Sequence, residues 1–511
     1  MNVKNNKENK FKKIIFCLLI VSLFKPTWLL NNESLGVGSD DMSYWLHSST
    51  VAFDYDLNYI EDYDYKSPSY NEITNTPYHS PGSAYATAIF VKLFSFLDTD
   101  EGIDEIRVNP VGSYSLLGYL FGSLFFCYLG FYFFNKLLIV KNIHVNKKYI
   151  FLLMYVSTIV HYVANRFLMS HSFEFFLVVL LLYIYETKNN LFETKNFIFL
   201  ILIYFLLSIT RPSTFIYSLS LVGVYYNRFE VKRKILIPNL LFLSISIYFY
   251  NSLAQILHKQ SSLLINISNN NTTKGMVDNL NIQWIGNGFL ESLNLLFSPS
   301  LGIAWSTPII LIGIITLLFN KSYTKKLNVF QKLSLTSYFL GCFLVLYVWQ
   351  GREASFGQRL LIGIIPFCAY QICIYFNKKS LSPLIPFIFV AYIGNLFLYS
   401  STNLTLQPGT TLWNTYVDWA GEGYYLTLLY EILKIENIGS MLSRTIFFID
   451  IVHFTDYLEN SRIVSSLAQE RKLRFMNYVE TYNNLKLLYL GILNFILFYF
   501  GYLFERLTTK K

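Results

Sequence analysis

The sequence predicts an all-α membrane protein, a polytopic bundle of about twelve transmembrane helices. Three observations carry that prediction. Of the 511 residues, 53% are hydrophobic and only 14% charged, a balance far from that of a soluble globular chain. Apolar stretches of about 17 to 25 residues recur along the whole length, each long enough at about 1.5 Å per residue to cross a hydrocarbon core roughly 30 Å thick. The segments between them alternate in charge, as cytoplasmic and external connections do.

In order, the spans read as 13–31, 113–139, 149–167, 172–187, 196–211, 213–228, 234–256, 299–319, 331–349, 359–376, 384–400 and 485–505. The least distinct boundary is at Arg211-Pro212. The segments KNNKENKFKK, KNIHVNKK, ETKNNLFETK, RFEVKRK, NKSYTKK, NKK and ERLTTKK fall on one side, which the positive-inside rule makes the cytoplasm. Both termini are then expected inside, and the connections 32–112, 257–298, 350–358 and 401–484 outside. This organises the chain as a transmembrane core over 1–400 carrying the external loop 32–112, an external cap segment over 401–484, and a last helix with a cytoplasmic tail over 485–511. Residues 1–30 resemble a secretory signal, but no A-x-A-like site follows and Lys25-Pro26 interrupts the tail, so a retained first span is expected.

The net charge of +9 does not point to nucleic acid, because its Lys and Arg gather in short loops beside spans, where topology and lipid headgroups explain them. Cys17, Cys127, Cys342, Cys368 and Cys373 all lie in predicted spans and read as small apolar fillers rather than a disulfide framework or a thiolate metal site. Much of the Tyr and Phe content reads as interfacial belts and helix packing.

Chemistry is expected in the first external loop, where Asp40, Asp41, Asp54, Asp56, Glu61, Asp62 and Asp64 collect just beyond the first span. Ionisable side chains are nearly absent from the spans, which weighs against an ion-driven carrier. If residues 40–44 begin a helix, Asp40 and Tyr44 share a face and Asp41 turns aside, so the two carboxylates have separate jobs. One suits a general base; the alternative is that the pair caps an interfacial helix. A second cluster runs from Tyr347 to Arg359, where Arg352 and Arg359 offer forks for phosphate oxygens and Gly351 and Gly357 allow close backbone approach. The alternative there is a tight turn with interfacial arginines. His79, in the turn Tyr78-His79-Ser80-Pro81-Gly82-Ser83, suits a phosphate or a sugar hydroxyl, and Arg211 at its helix break is a further phosphate candidate.

Taken in order, these pieces resemble the GT-C superfamily of integral membrane glycosyltransferases. Gly38 to Tyr44 gives G-x-D-D-x-x-Y and Ser49 to Asp56 gives S-x-x-x-x-D-x-D, which resemble the family's acidic loop, with Asp40 on its usual catalytic aspartate. LLFSPSLGIAWSTPIIL resembles a later-span segment, and Trp349, Gly351 and Ser355 to Arg359 resemble a motif of bacterial members. The likeness covers roughly residues 10–400, and 401–484 matches nothing in it.

The resemblance implies transfer of a hexose or pentose from a polyprenyl-phosphate sugar to an extracytoplasmic hydroxyl of a glycolipid, glycan or protein, with inversion at the anomeric carbon. Asp40 is the implied base, with Asp41 beside it, and Tyr44, Asp54, Asp56, His79, Arg211, Arg352 and Arg359 are the implied substrate contacts. A divalent metal could be recruited by Asp40, Asp41 and Asp54 or Asp56, since hard oxygens suit Mg²⁺ or Mn²⁺; no obligatory cofactor beyond the lipid-linked donor is expected. The competing expectations are a lipid-linked glycan transporter, which needs polar residues along a central path, and an O-antigen polymerase or ligase, in which the large loop usually comes late.

Overall fold

A computed structural model describes residues 40–59, 79–98, 102–110, 112–146, 166–229, 303–348 and 359–387, with scattered positions between them. The described part is all-helical apart from a two-residue antiparallel pair, Tyr70–Asn71 with Thr76–Pro77. The predicted spans 13–31, 234–256 and 485–505 and the segment 401–468 lie outside it. The segment 32–112, expected to be external, contributes α1 (Asp40–Asp54), α2 (Gly82–Ser95) and α3 (Ile103–Val108). The bundle follows as α4 (Tyr114–Val140), α5 (His171–Thr187), α6 (Thr194–Thr210), α7 (Pro212–Ser218), α8 (Ser220–Val224), α9 (Pro308–Phe319), α10 (Val329–Val348) and α11 (Ile365–Tyr375).

Local chemistry explains the helix ends. Asp98 accepts from Tyr114 N at 2.7 Å and from Ser115 N and Oγ at 2.8 and 2.7 Å, and Ser113 Oγ accepts from Leu116 N at 3.2 Å. An anion and a cap thus satisfy the first N–H groups of α4. At Arg211-Pro212 the proline has no N–H to give and disfavours helical angles in the residue before it, so Arg211 turns to φ −148°, ψ 94° and the chain leaves α6 to begin α7.

Three predicted spans are not continuous helices. The stretch 213–228 divides into α7, α8 and a 3-10 turn at Tyr226–Arg228. Leu219 between α7 and α8 keeps helical angles, so this is a loosened turn rather than a reversal. The stretch 299–319 breaks at Thr307-Pro308, and 359–376 begins with a 3-10 turn, Arg359–Ile364, before α11. Among the described residues one helix, α4, is long and apolar enough to cross a membrane by itself.

The helix α5 is the axis of the described bundle, packing on α4, α6, α11 and the 359–364 turn. Two glycines of α4 set the approach of α2: a Cβ on Gly118 would lie 2.5 Å from Phe90 O, and one on Gly122 2.8 Å from the Phe90 ring. Only a bare Cα lets the backbones come this close. Inside the bundle hydroxyls pair with one another, as Ser123 Oγ donates to Ser172 Oγ at 2.8 Å and Tyr185 OH lies 3.0 Å from Tyr204 OH, which donates to the Ser218 carbonyl at 3.0 Å. Outside, α4 exposes Phe125, Tyr132 and Ile139, α6 exposes Ile198, Phe199 and Leu202, and α10 exposes Leu333, Leu340 and Leu344. The interior is mainly apolar with these polar pairs set into it, and large apolar side chains also stand on the outer faces.

The two ends of α5 differ. At its C-terminal end several of the basic connections meet. Lys378 N donates to His144 O at 3.0 Å, Leu191 N to Arg228 O at 3.1 Å, and Lys141 Nζ reaches Glu186 Oε2 at 3.0 Å. Its N-terminal end meets the α1–α2 region.

Candidate functional site

The site grows from the first turn of α1. The described part of the helix opens on Asp40, whose side chain lies outside the described residues. Asp41 is fully buried. Its Oδ2 accepts from Arg166 Nε at 2.7 Å and pairs with Arg166 Nη2, while Oδ1 is buried with no hydrogen-bond partner among the described residues. One turn on, Tyr44 OH donates to Ser170 Oγ at 3.2 Å, and its ring lies tilted on that of His79, centroids 5.2 Å apart. The expectation that Asp41 turns away from Tyr44 is therefore corrected. Positions i and i+3 of a helix share a face, and both side chains reach the same stretch, 166–170.

His79 is packed rather than solvated. Its N–H donates to Ser43 Oγ at 2.9 Å, and its carbonyl lies 2.7 Å from His47 Nε2. From His47 Nδ1 the contacts continue to Tyr59 OH at 2.7 Å and on to Tyr85 OH at 2.8 Å. Burial pushes the Tyr85 phenol well above its ordinary range, against a smaller pull from Tyr59, so this hydroxyl stays neutral. The chain of contacts fixes the turn before α2 against the first two turns of α1, which holds Tyr44 and His79 in place.

The segment 166–174 is the meeting point. Besides Arg166 and Ser170, it presents Met169 Sδ to Arg359 Nη1 at 3.9 Å. It ends in His171 and Glu174, where Glu174 Oε2 lies 3.0 Å from His171 Nδ1 and 3.5 Å from Arg211 Nε. Glu174 Oε1 accepts from the Thr214 hydroxyl, which in turn accepts from Tyr217 OH at 3.2 Å. Gly363 closes over this carboxylate, since a Cβ there would lie 2.8 Å from Glu174 Oε1. Asp41 and Tyr44 of α1, Arg211 and Arg359, three distant parts of the chain, thus touch one nine-residue stretch.

Other expected residues are elsewhere. Asp54 sits at the far end of α1, about 20 Å from Asp41 at about 1.5 Å per residue, and pairs with Arg107. Asp56 is exposed and accepts from Asn58 N at 3.1 Å. One continuous helix keeps these two acids from sharing a ligand or a metal with Asp41. Among the described residues no three His, Cys, Asp or Glu side chains converge on a cation position. Arg352, Glu61, Asp62 and Asp64 lie outside the described residues.

Arg166, His171 and Glu174 were missed because 166–174 reads as a boundary between two apolar spans. The signal was present in N-R-F-L-M-S-H-S-F-E, a polar cluster at a turn on the same expected side as the acidic loop. Glu174, one of the few ionisable residues in the expected spans, belongs to α5 and is fully buried. The arrangement offers buried carboxylates and guanidinium groups at one end of a helical bundle whose outer faces are apolar. Comparison with protein-family models, curated proteins and solved structures finds no match to this chain.

Proposed function

We propose that the chain is a membrane-embedded glycosyltransferase of GT-C type. It moves a sugar from a polyprenyl-phosphate donor, of the undecaprenyl or dolichyl kind, to an acceptor hydroxyl on the extracytoplasmic side. The observation that carries the proposal is the convergence of Asp41, Tyr44, Arg211 and Arg359 on residues 166–174. Sugar transfer from a lipid phosphate needs an acid-base group for the incoming alcohol and cations for the departing phosphate within one substrate length. The apolar outer faces of α4, α6 and α10 support a lipid surround. The gathering of basic loops at the opposite end of α5 supports an external position for Asp41.

In this reading the acceptor hydroxyl gives its proton to Asp40 as its oxygen forms the bond to the anomeric carbon. The bond from that carbon to the phosphate oxygen breaks from the opposite face, which inverts the centre. The electron pair leaves on the polyprenyl phosphate, acidic enough to depart without a protonating group and held by Arg211 and Arg359. Asp41, with Oδ2 engaged by Arg166, keeps one oxygen for a sugar or acceptor hydroxyl.

One observation favours a rival. A carboxylate inside a helical bundle, as Glu174 is, is where a carrier holds its coupling ion. Replacing the base separates the two readings. Asp40→Asn, expressed at normal level, slows transfer from a polyprenyl-phosphate sugar about a hundredfold or more if it removes a general base. Glycan and lipid-linked sugar composition, compared by mass spectrometry in cells with and without the gene, identifies the acceptor. Movement of intact lipid-linked sugar across a reconstituted bilayer without any transfer would make the chain a transporter.

A further inference from the structure

We infer that Glu174 is the resident counter-ion of Arg211, a positioning residue that yields the guanidinium to the phosphate of a lipid and limits how tightly that phosphate is held. The inference rests on Arg211 as a phosphate ligand and goes beyond it to the residue that sets its strength.

Arg211 is always charged and its side chain is only 14% exposed, so it needs a counter-charge whenever no anion is bound. Glu174 supplies one, but loosely. The Nε–Oε2 separation is 3.5 Å, beyond the 2.7–3.2 Å range of ordinary N–H···O bonds. A tight structural pair would use the fork, two N–H groups to two oxygens. Here Nε makes the closest approach to the carboxylate, and no nitrogen of the Arg211 side chain makes a hydrogen bond among the described residues.

Glu174 cannot easily follow Arg211 toward an arriving phosphate. Its Oε2 is also held by His171 Nδ1 at 3.0 Å, its Oε1 by the Thr214 hydroxyl, and Gly363 closes over it. The carboxylate therefore stays in place while the fork of Arg211 takes the new anion. Two negative charges then flank one guanidinium in a medium that screens poorly, and their repulsion weakens binding of the second. The consequence for turnover is release: a departing lipid phosphate is not trapped on Arg211.

The sign of this effect makes it testable, because damage to the fold lowers affinity and loss of a competing charge raises it. Binding is measured on the full-length protein in lipid nanodiscs with a polyprenyl phosphate, with the polyprenol lacking its phosphate, and with inorganic phosphate as competitor. Glu174→Gln is expected to bind the polyprenyl phosphate about tenfold more tightly, and to be competed more readily by inorganic phosphate. Binding of the polyprenol stays as in the wild type. The gain disappears in the double variant with Arg211→Ala, since the two residues act as one unit.

An affinity for the polyprenyl phosphate that is unchanged or weaker in Glu174→Gln overturns the inference. So does a gain that survives Arg211→Ala, a gain shared by the polyprenol, or a wild-type protein that binds no polyprenyl phosphate. Should Glu174→Gln fail to fold, Glu174→Asp draws the charge back by one methylene and is expected to tighten binding a few-fold; a wild-type value there is equally fatal. These measurements need no sugar transfer, so a protein that binds in this way and transfers nothing sinks the transferase reading alone.

Discussion

Two glutamates on one helix, Glu174 and Glu186, lie about 18 Å apart along α5 at about 1.5 Å per residue and differ in how closely each meets its cation. Glu186 is tied at close range, to Lys141 Nζ at 3.0 Å and to Tyr225 OH at 2.8 Å. The same lysine also donates to the Glu186 carbonyl at 3.2 Å. Glu174 faces a guanidinium that it barely reaches, at 3.5 Å. A carboxylate with short bonds to groups that have no other task braces the bundle. Glu174 has short bonds of its own, to His171 and Thr214, but leaves its cation loosely engaged, which in the proposed reading frees Arg211 for a ligand. Residue type and burial are the same at both places, and the partner geometry distinguishes them.

The largest effect that bears on this comparison is expected at Arg166. Arg166→Ala leaves Asp41 buried with no partner on either oxygen, a change that costs about 3–5 kcal/mol when a buried pair is broken. Thermal unfolding in detergent should show the loss, transfer should fall with it, and Arg166→Lys should recover part of both. A variant as stable as the wild type would mean that the Asp41 pair does not organise this end of the molecule.

An intermediate effect is expected at the opposite end. Tyr225→Phe removes one hydrogen bond to a buried carboxylate and should cost about 1–3 kcal/mol in unfolding experiments, with the rate of transfer unchanged. A lowered transfer rate at undiminished stability would erase the distinction between the two ends. The smallest effect is expected at Asp56→Asn, which alters an exposed turn and should leave transfer as it is. Loss of transfer there would return the S-x-x-x-x-D-x-D acids to the site and sharpen the contrast in the other direction.

Parts of this were legible in the sequence for physical reasons. An apolar run long enough to cross a bilayer announces itself locally, and so does a proline that ends a helix. Thus α4, α5 and α6 fall close to their expected places, and the chain breaks at Arg211-Pro212. A helix through residues 40–44 was equally visible, because acidic residues suit the first turn of a helix. Breaks inside apolar stretches were less visible: 213–228 and 359–376 keep their hydropathy through a loosened turn and a 3-10 turn.

The candidate site was half legible. Asp41, Tyr44, His79, Arg211 and Arg359 were named from residue type and position, and the contacts of 166–174 join four of them. Asp54 and Asp56 were grouped with Asp41 because they are close in sequence, yet a continuous helix carries them to its far end. Closeness along a chain is a poor guide to closeness in space once about four helical turns intervene.

The sequence by itself determined the helical class and the residue types available for chemistry, because both depend on runs of neighbouring side chains. Only the tertiary structure decided which acid meets which cation. Asp41 and Arg166 are 125 positions apart, and nothing in either local run specifies the pairing. It arises because the α1 start and the turn before α5 are brought to one end of the bundle, where an ionic group that leaves water must find an opposite charge.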